Sequence, residues 1–226
     1  MTDVPPVTRW ASGGRRNDGY GRKFAELVDD GADVDGEARL ADALLPRGAR
    51  VLDAGAGMGR VGAALAARGH RVVAAEPDAA LVAQARRTYP DLEVVESDIL
   101  GLSADLLAGR GLPPTYDLVV CVGNVMIYLA EATERDVLAR LRGLLAPGGR
   151  VLVGFHPVGG PTTSRTYPPA EFAADAEASG LRVDLRAGSY QLHPADEGYA
   201  VWVLSRADDG PVPTSFGHPT VLTPDP

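Results

Sequence analysis

The chain is poor in cysteine, in long apolar runs and in basic charge. Cys121 is its one cysteine in 226 residues, which excludes an intrachain disulfide framework and disfavours a cysteine-type zinc site. We expect it to be a small buried hydrophobe. Apolar runs stay short of the ~20 residues that a membrane-spanning helix needs, and the first residues show no apolar targeting segment. Lys and Arg number 22 against 30 Asp and Glu, a net charge of -8, which disfavours binding to nucleic acid. We therefore expect a cytoplasmic monomer or homodimer that binds neither membranes nor nucleic acid.

From residue 51 onward, apolar strand-like segments alternate with helix-like segments. Alternating units of this kind form a parallel sheet with helices on both faces, so the chain is predicted to be an α/β protein. Two apolar segments near the C-terminus predict an antiparallel pair. The first predicted strand begins at Val51, and the others cover 71–76, 92–95, 117–122, 151–155, 181–187 and 200–206. The predicted helices cover 20–29, 36–45, 60–68, 79–87, 131–145 and 169–180. A loop or short helix is predicted over 103–109.

The first predicted strand runs into a glycine-rich turn with the sequence Val-Leu-Asp-Ala-Gly-Ala-Gly-Met-Gly over 51–59. Glycines allow backbone angles that a Cβ forbids and let a ligand approach the main chain. In the dinucleotide fingerprint Gly-x-Gly-x-x-Gly the third glycine would stand where this chain has Arg60. Asp53 would also repel a pyrophosphate at short range and attract an ammonium group. The turn therefore favours a ligand with an ammonium group and no phosphate.

An acidic residue, Glu76, ends the second predicted strand about 20 positions after the glycine turn. An acid at this place suits hydrogen bonding to ribose hydroxyls. Asp78 is predicted to be the N-cap of the following helix, because Asp is a preferred cap before an Ala- and Leu-rich run. The carboxyl ends of parallel strands meet at one edge of the sheet, where ligands bind. Asp53, Glu76, Asp98 and Asn124 all stand at predicted strand ends and are expected to converge there.

The glycine turn resembles motif I of the class I S-adenosylmethionine (SAM) dependent methyltransferases, and further motifs follow in that family's order over residues 51 to 155. Residues 116–124 resemble its fourth-strand motif. Residues 141–150 resemble its helix-end turn, where Pro147-Gly148-Gly149 is expected to stop a helix and lead into a strand. The resemblance implies a Rossmann-like, doubly wound sheet of seven strands, mostly parallel with an antiparallel C-terminal hairpin. It also implies SAM as cofactor and S-adenosyl-L-homocysteine (SAH) as product.

The same resemblance implies which residues hold the cofactor. In this family an acid after the third strand contacts the adenine amine and the next apolar side chain packs on the ring; Asp98 and Ile99 stand at these positions. The methionine end of SAM is expected at the glycine turn and the ribose at Glu76. The expected cofactor-binding residues are Asp53, Gly55, Ala56, Gly57, Gly59, Glu76, Pro77, Asp98, Ile99, Val122, Gly123, Asn124 and Tyr20.

Two polar residues at strand ends are the candidate catalytic residues. A base helps methyl transfer when the acceptor is a hydroxyl or an ammonium. A free imidazole titrates near neutrality, so His156, after the fifth predicted strand, is the candidate base. Asn124 follows the fourth strand and would orient an acceptor. Positions 123–126 read Gly-Asn-Val-Met, not the Asn-Pro-Pro-Tyr or Asp-Pro-Pro-Tyr of nucleic-acid amine methyltransferases, which favours a small-molecule acceptor. No metal is expected, because no Asp and Asn cluster stands out.

Two alternative functions stay open. A non-catalytic or repurposed SAM-binding protein would account for the lack of an obvious acid–base pair. An NAD-dependent oxidoreductase would share the fold, although Asp53 and Arg60 argue against it. For organisation, we expect one domain over 1–208, with an N-terminal lid and entry helices within 1–45, and an irregular tail over 209–226. Residues 1–20 are expected to be irregular and to order over ligand.

Overall fold

The computed structural model describes residues 6–14, 19, 26–27 and 30–210. Tyr20 and most of the helix predicted over 20–29 lie outside these residues, and so does the greater part of the expected tail. Within the described ranges, each helix is too short or too polar to cross a membrane.

Seven strands form one sheet in the order β3-β2-β1-β4-β5-β7-β6. The first five pair in parallel, and β7 runs antiparallel to both β5 and β6. This confirms the Rossmann-like, doubly wound fold. Strand order reverses between β1 and β4, and ligands bind at such a switch point. The strands are β1 (Arg50–Ala54), β2 (Arg71–Glu76), β3 (Glu93–Glu96), β4 (Tyr116–Cys121), β5 (Leu145–Phe155), β6 (Leu181–Ala187) and β7 (Ala200–Arg206).

Both faces of the sheet are covered by helices, because successive strand residues point to opposite faces and both are apolar here. Leu52 joins the apolar cluster of α5, α6 and α7, whereas Val51 joins the cluster of α2 and α3. Cys121 is fully buried, as expected. The helices are α1 (Arg9–Gly13), α2 (Gly36–Ala43), α3 (Arg60–Ala67), α4 (Ala79–Thr88), α5 (Ala104–Gly109), α6 (Glu134–Gly143) and α7 (Pro169–Ala178), and a 3-10 turn covers Val125–Ile127.

The junction between α6 and β5 differs from the prediction. The helix predicted over 131–145 ends at Gly143, and β5 begins at Leu145, well before the predicted start at 151. Pro147-Gly148-Gly149 therefore lies inside the strand and does not form the turn that ends the helix. The register with β4 shifts here, between Tyr116 and Leu118. A Cβ at Gly149 would stand 2.8 Å from the carbonyl oxygen of Tyr116, so the close approach of the two strands needs this glycine.

The expectation of an irregular N-terminal segment is wrong for residues 9–13, which form α1. Thr8 caps this helix by accepting a hydrogen bond from the Ala11 amide at 3.0 Å. The backbone amides of Arg9 and Trp10 donate to the carbonyls of Leu129 and Tyr128. Contacts with residues far along the chain thus hold a helix that its local composition does not predict.

Candidate active site

A cavity of about 490 Å³ opens at the carboxyl ends of β1, β2 and β4. Its size is within the roughly 300–1,000 Å³ of small-molecule sites. It lies at the switch point between β1 and β4, where the topology predicts a ligand. The described residues that line it are Thr8, Trp10, Gly55, Gly57, Glu76, Pro77, Leu81, Asp98, Ile99, Gly123, Asn124, Val125, Tyr128, Leu129, Pro161 and Thr162.

The glycine turn between β1 and α3 forms the floor of this cavity. Gly55 has a φ of 80° and Gly57 a φ of 57°, a region that residues with a Cβ rarely adopt. A Cβ at Gly55 would stand 2.6 Å from a methyl of Val125. Gly59 is the N-cap of α3, and neither it nor Ala56 lines the cavity. The turn leaves backbone exposed to a ligand where a larger residue would fill the space.

Glu76 presents a carboxylate to the cavity from the end of β2. Its two oxygens accept hydrogen bonds from the Gly57 amide and the Asp78 amide, each at 2.9 Å. The residue is only 5% exposed, and burial raises the pKa of its carboxyl to about 7, although both amides act in the opposite direction. The carboxylate is therefore oriented in advance and keeps acceptor capacity for hydroxyl groups.

Asp53 does not line the cavity. It is 2% exposed, and its Oδ2 accepts a hydrogen bond from the Gly62 amide in α3 at 2.9 Å. Burial raises the pKa of this carboxyl to about 7, against the lowering effect of the Gly62 amide and Arg60. The structure thus directs Asp53 towards the first turn of α3, behind the glycine turn, whereas the sequence suggested an ammonium group as its partner.

Three further residues at the ends of β2 and β3 lie where the sequence predicted. Pro77, Asp98 and Ile99 all line the cavity. Oδ1 of Asp98 accepts a hydrogen bond from the Gly101 amide at 2.6 Å, which orients the side chain. Ile99 is 6% exposed and belongs to the apolar core. An apolar surface beside an oriented carboxylate suits a flat ring that carries an amine. Asp78 caps α4 through the Ala80 and Leu81 amides, as predicted.

Asn124 lines the cavity and contacts His156, which does not line it and packs edge-on against Tyr199 with ring centroids 4.8 Å apart. Gly123 and Asn124 line the cavity, whereas the buried Val122 does not. Asn124 has a φ of 77°, and Asn is one of the residues that tolerate this region. Its Oδ1 lies 2.9 Å from the His156 amide nitrogen and 3.0 Å from His156 Nδ1. Because an amide oxygen only accepts, Nδ1 carries the proton in this pair, and Nε2 of the neutral ring keeps a lone pair.

Trp10, from the segment expected to form an N-terminal lid, and several residues that the sequence analysis did not name complete the cavity wall. Trp10 covers one side, donating from Nε1 to Asp78 Oδ2 at 3.0 Å and packing edge-on against Tyr128 with ring centroids 5.5 Å apart. An isolated tryptophan in a polar segment was the one signal for this contact. The unpredicted lining residues are Thr8, Leu81, Val125, Leu129, Pro161 and Thr162. Leu81 lies in α4 and Val125 in the 3-10 turn, and the others come from loops, whose placement depends on the packed fold.

The fold and the cavity define a Rossmann-like cofactor-binding protein, and comparison with known proteins identifies its family. Residues 52–151 match the family model described as a methyltransferase domain. A crystal structure of a TehB-like SAM-dependent methyltransferase from Corynebacterium glutamicum superposes with a TM-score of 0.74 and 32% identity, over 84% of this chain and 98% of that one. The chain belongs to the class I SAM-dependent methyltransferases, and SAM is the cofactor of this family.

Curated relatives match the sequence of this chain over a shorter region. An uncharacterized methyltransferase of Mycobacterium tuberculosis is 35% identical over 115 residues, which is 50% of this chain and 54% of that protein. A ribosomal RNA small subunit methyltransferase A of Koribacter versatilis is 31% identical over 121 residues, which is 49% of this chain and 41% of that protein. The chain thus spans about half or less of the length of the curated relatives it matches.

Proposed function

We propose that this protein transfers a methyl group from SAM to an oxygen or nitrogen atom of a small-molecule metabolite. The observation that carries the proposal is the cover over the cavity. Thr8 and Trp10 from the N-terminal segment line it on one side, and Pro161 and Thr162 from the segment after β5 line it too. An acceptor must reach the cofactor between these segments, which favours a compact molecule over a polymer.

The cofactor fits the described residues. Glu76, oriented by two backbone amides, would accept hydrogen bonds from the ribose hydroxyls, and Asp98 would accept one from the adenine amine. Ile99 and Pro77 would pack on the adenine ring. The glycine turn, with Asp53 behind it, would hold the methionine end. The proposed cofactor site contains Gly55, Gly57, Glu76, Pro77, Asp98, Ile99, Gly123 and Asn124 in the cavity wall, supported by Asp53, Ala56, Gly59 and Val122, which do not line it. Tyr20 stays a prediction outside the described residues.

His156 and Asn124 would supply the chemistry on the acceptor side. Bound SAM provides a methyl group that its sulfonium already activates, so the chain needs to orient the acceptor, exclude water and remove a proton. Asn124 Oδ1, 3.0 Å from His156 Nδ1, would accept the Nδ1 proton, so that Nε2 of the neutral ring would carry the lone pair. An unprotonated imidazole nitrogen can take the proton of a hydroxyl or ammonium acceptor. Asn124 is then the positioning residue, and His156 the base, of the proposed reaction.

The alternatives predict different results in a binding and turnover experiment. Isothermal titration calorimetry with SAH is expected to show one site per chain, whereas NADH should give no heat. Binding of SAH weaker than about 1 mM would refute the proposed cofactor site. Incubation with SAM and a panel of small hydroxyl- and amine-bearing acceptors should release SAH. Tight SAH binding without turnover on any acceptor would favour the non-catalytic SAM-binding protein.

The family membership counts against the NAD-dependent alternative. The ribosomal RNA methyltransferase relative raises RNA as an acceptor. The net charge of -8 argues against it, because affinity for a nucleic acid depends on neutralising its phosphates. Adding RNA to the acceptor panel tests this directly, and methyl transfer to RNA would overturn the small-molecule assignment.

A further inference from the structure

The two segments that cover the cavity come from distant parts of the chain but meet at one carboxylate. The first cover is the N-terminal segment 6–14, which contains α1 and contributes Thr8 and Trp10 to the cavity wall. The second cover is the segment 157–168 between β5 and α7, which contributes Pro161 and Thr162. Each cover carries an arginine that reaches Glu134.

Glu134 stands in the first turn of α6 and is 4% exposed. Its Oε1 accepts a hydrogen bond from Arg165 Nη1 at 2.5 Å and lies 3.6 Å from Arg9 Nη1. The side chains of both arginines are themselves mostly buried, with 24% exposure for Arg9 and 21% for Arg165. Burying a carboxylate is costly unless it is paired or hydrogen-bonded, and a helix N-terminus also favours its negative charge. Removing the charge of Glu134 leaves Arg9 and Arg165 without their shared counterion, while Arg165 keeps its ion pair with Glu171.

Each arginine also joins its cover to the segment 127–129 that precedes α6. Arg9 also donates from Nη1 to the carbonyl of Leu129 at 2.9 Å, and the next residue, Trp10, lies over the cavity. Arg165 donates its backbone amide to the carbonyl of Ile127 at 3.0 Å, three residues after Thr162. A displacement of either arginine therefore moves residues that line the cavity.

We propose that Glu134 is a positioning residue that holds both covers over the cavity, so that they open and close as one unit. This inference rests on the proposed function, because the covers matter only if a cofactor and an acceptor meet beneath them. It assigns a role to a residue that touches neither. The carboxylate acts through Arg9 on one cover and through Arg165 on the other.

The test uses Glu134→Gln in the full chain, with SAH as the probe. Glutamine keeps the shape and one acceptor oxygen but removes the charge. We expect acrylamide quenching of Trp10 fluorescence to rise, and the Kd for SAH to rise about tenfold if the closed fraction falls to about one tenth. The chain has two tryptophans, and Trp202 is only 2% exposed, so a Trp10→Phe variant isolates the Trp10 signal by difference.

A matched control separates positioning from stability. Asp117, near the start of β4, accepts hydrogen bonds from the backbone amide and the guanidinium of Arg50 at the amino ends of the strands, the edge of the sheet opposite the cavity. Asp117→Asn should lower the melting temperature while leaving Trp10 quenching and the Kd for SAH unchanged. If the two variants change quenching and affinity equally, the role of Glu134 is merely structural and the inference fails.

Coupling between the covers has its own readout. Arg165→Met changes a side chain of the second cover and removes its ion pairs with Glu134 and Glu171, yet it should also raise quenching of Trp10 on the first cover. Unchanged Trp10 quenching in this variant would show that the covers move independently and would overturn the inference. Failure of the proposed function looks different, because the unaltered protein would then either not bind SAH or bind it without turnover on any acceptor.

Discussion

Replacing Glu76 by glutamine tests the cofactor site most directly. In the structure each carboxylate oxygen accepts one backbone amide, from Gly57 or from Asp78, at 2.9 Å. Glutamine puts an NH2 group in place of one of these oxygens, so one of the two amides then faces a donor. The second consequence concerns the ligand, because the ionised carboxylate is also the proposed acceptor for the ribose hydroxyls.

The two consequences affect different measurements. A buried donor without a partner costs about 1–3 kcal/mol in the free energy of unfolding, and relief of the buried charge offsets part of it. A hydrogen bond to a charged acceptor contributes about 1.5–3 kcal/mol, and this loss appears only when the ligand binds. Glu76→Gln is therefore expected to raise the Kd for SAH roughly 10- to 150-fold, with a small change in melting temperature.

Calorimetric titration with SAH at pH 8 measures this Kd, and the neighbouring strand offers a matched control. Glu96 ends β3 directly beside Glu76 in the sheet register but is exposed and does not line the cavity. Glu96→Gln should leave the Kd within about twofold, as substitutions on the surface do. A folded Glu76→Gln protein that binds SAH as tightly as the Glu96→Gln protein would refute the assignment of Glu76 to the ribose.

Three further predictions follow from the same geometry. Gly55→Ala would place a methyl 2.6 Å from a valine methyl and should weaken SAH binding more than about tenfold. The control is Gly111→Ala, because Gly111 has a similar backbone conformation (φ +75°) and a Cβ there would meet nothing within 4 Å. This control should cost only about 1–2 kcal/mol of stability and leave SAH binding, measured by calorimetry, unchanged. His156→Gln should lower turnover, measured as SAH release, by about 10²–10⁴-fold with the Kd for SAH unchanged; a parallel loss of affinity would contradict its role as a base. Burial raises the pKa of Glu76 and of Asp53 to about 7 from ordinary values of 4.5 and 3.8, so the folded protein holds protons that the unfolded chain releases. The stability from these protonated groups is present below the unfolded pKa values and is lost as pH rises through about 7. SAH affinity should instead rise between about pH 6 and 8, because the ribose contact needs an ionised Glu76; calorimetry that shows flat affinity across this range would contradict it.

The sequence predicts the sheet and the cofactor side of the site because both depend on local patterns. Continuous apolar runs are typical of strands buried on both faces, and the described β1 and β2 begin and end within one residue of their predicted bounds. The places of Glu76, the glycine turn and Asp98 could be predicted from their spacing along the sequence. They converge because parallel strands end at the same edge, which topology alone determines.

The parts that sequence reasoning missed depend on contacts between distant residues. Trp10 reaches Asp78 across 68 positions, and Arg9 reaches Leu129 across 120. The N-terminal segment is rich in Pro, Gly and Arg and has no helical periodicity of apolar residues that would predict such a helix. The early start of β5 has the same origin, since pairing of Leu145 with Tyr116 extends a strand through residues whose local sequence favours a turn.

Asp53 belongs to the glycine-turn motif, but its contact in the structure differs from the one that the sequence suggested. The N-cap of α3 is Gly59, which has no side chain to satisfy the amides of the first helical turn. The carboxylate of Asp53 accepts the amide of Gly62, three residues further on, and so caps α3 from the neighbouring strand. A Cβ at Gly62 would stand 3.2 Å from that carboxylate oxygen, so the glycine makes room for the contact. The acid therefore joins β1 to α3 across the glycine turn and fixes the backbone that the methionine end of SAM is proposed to contact.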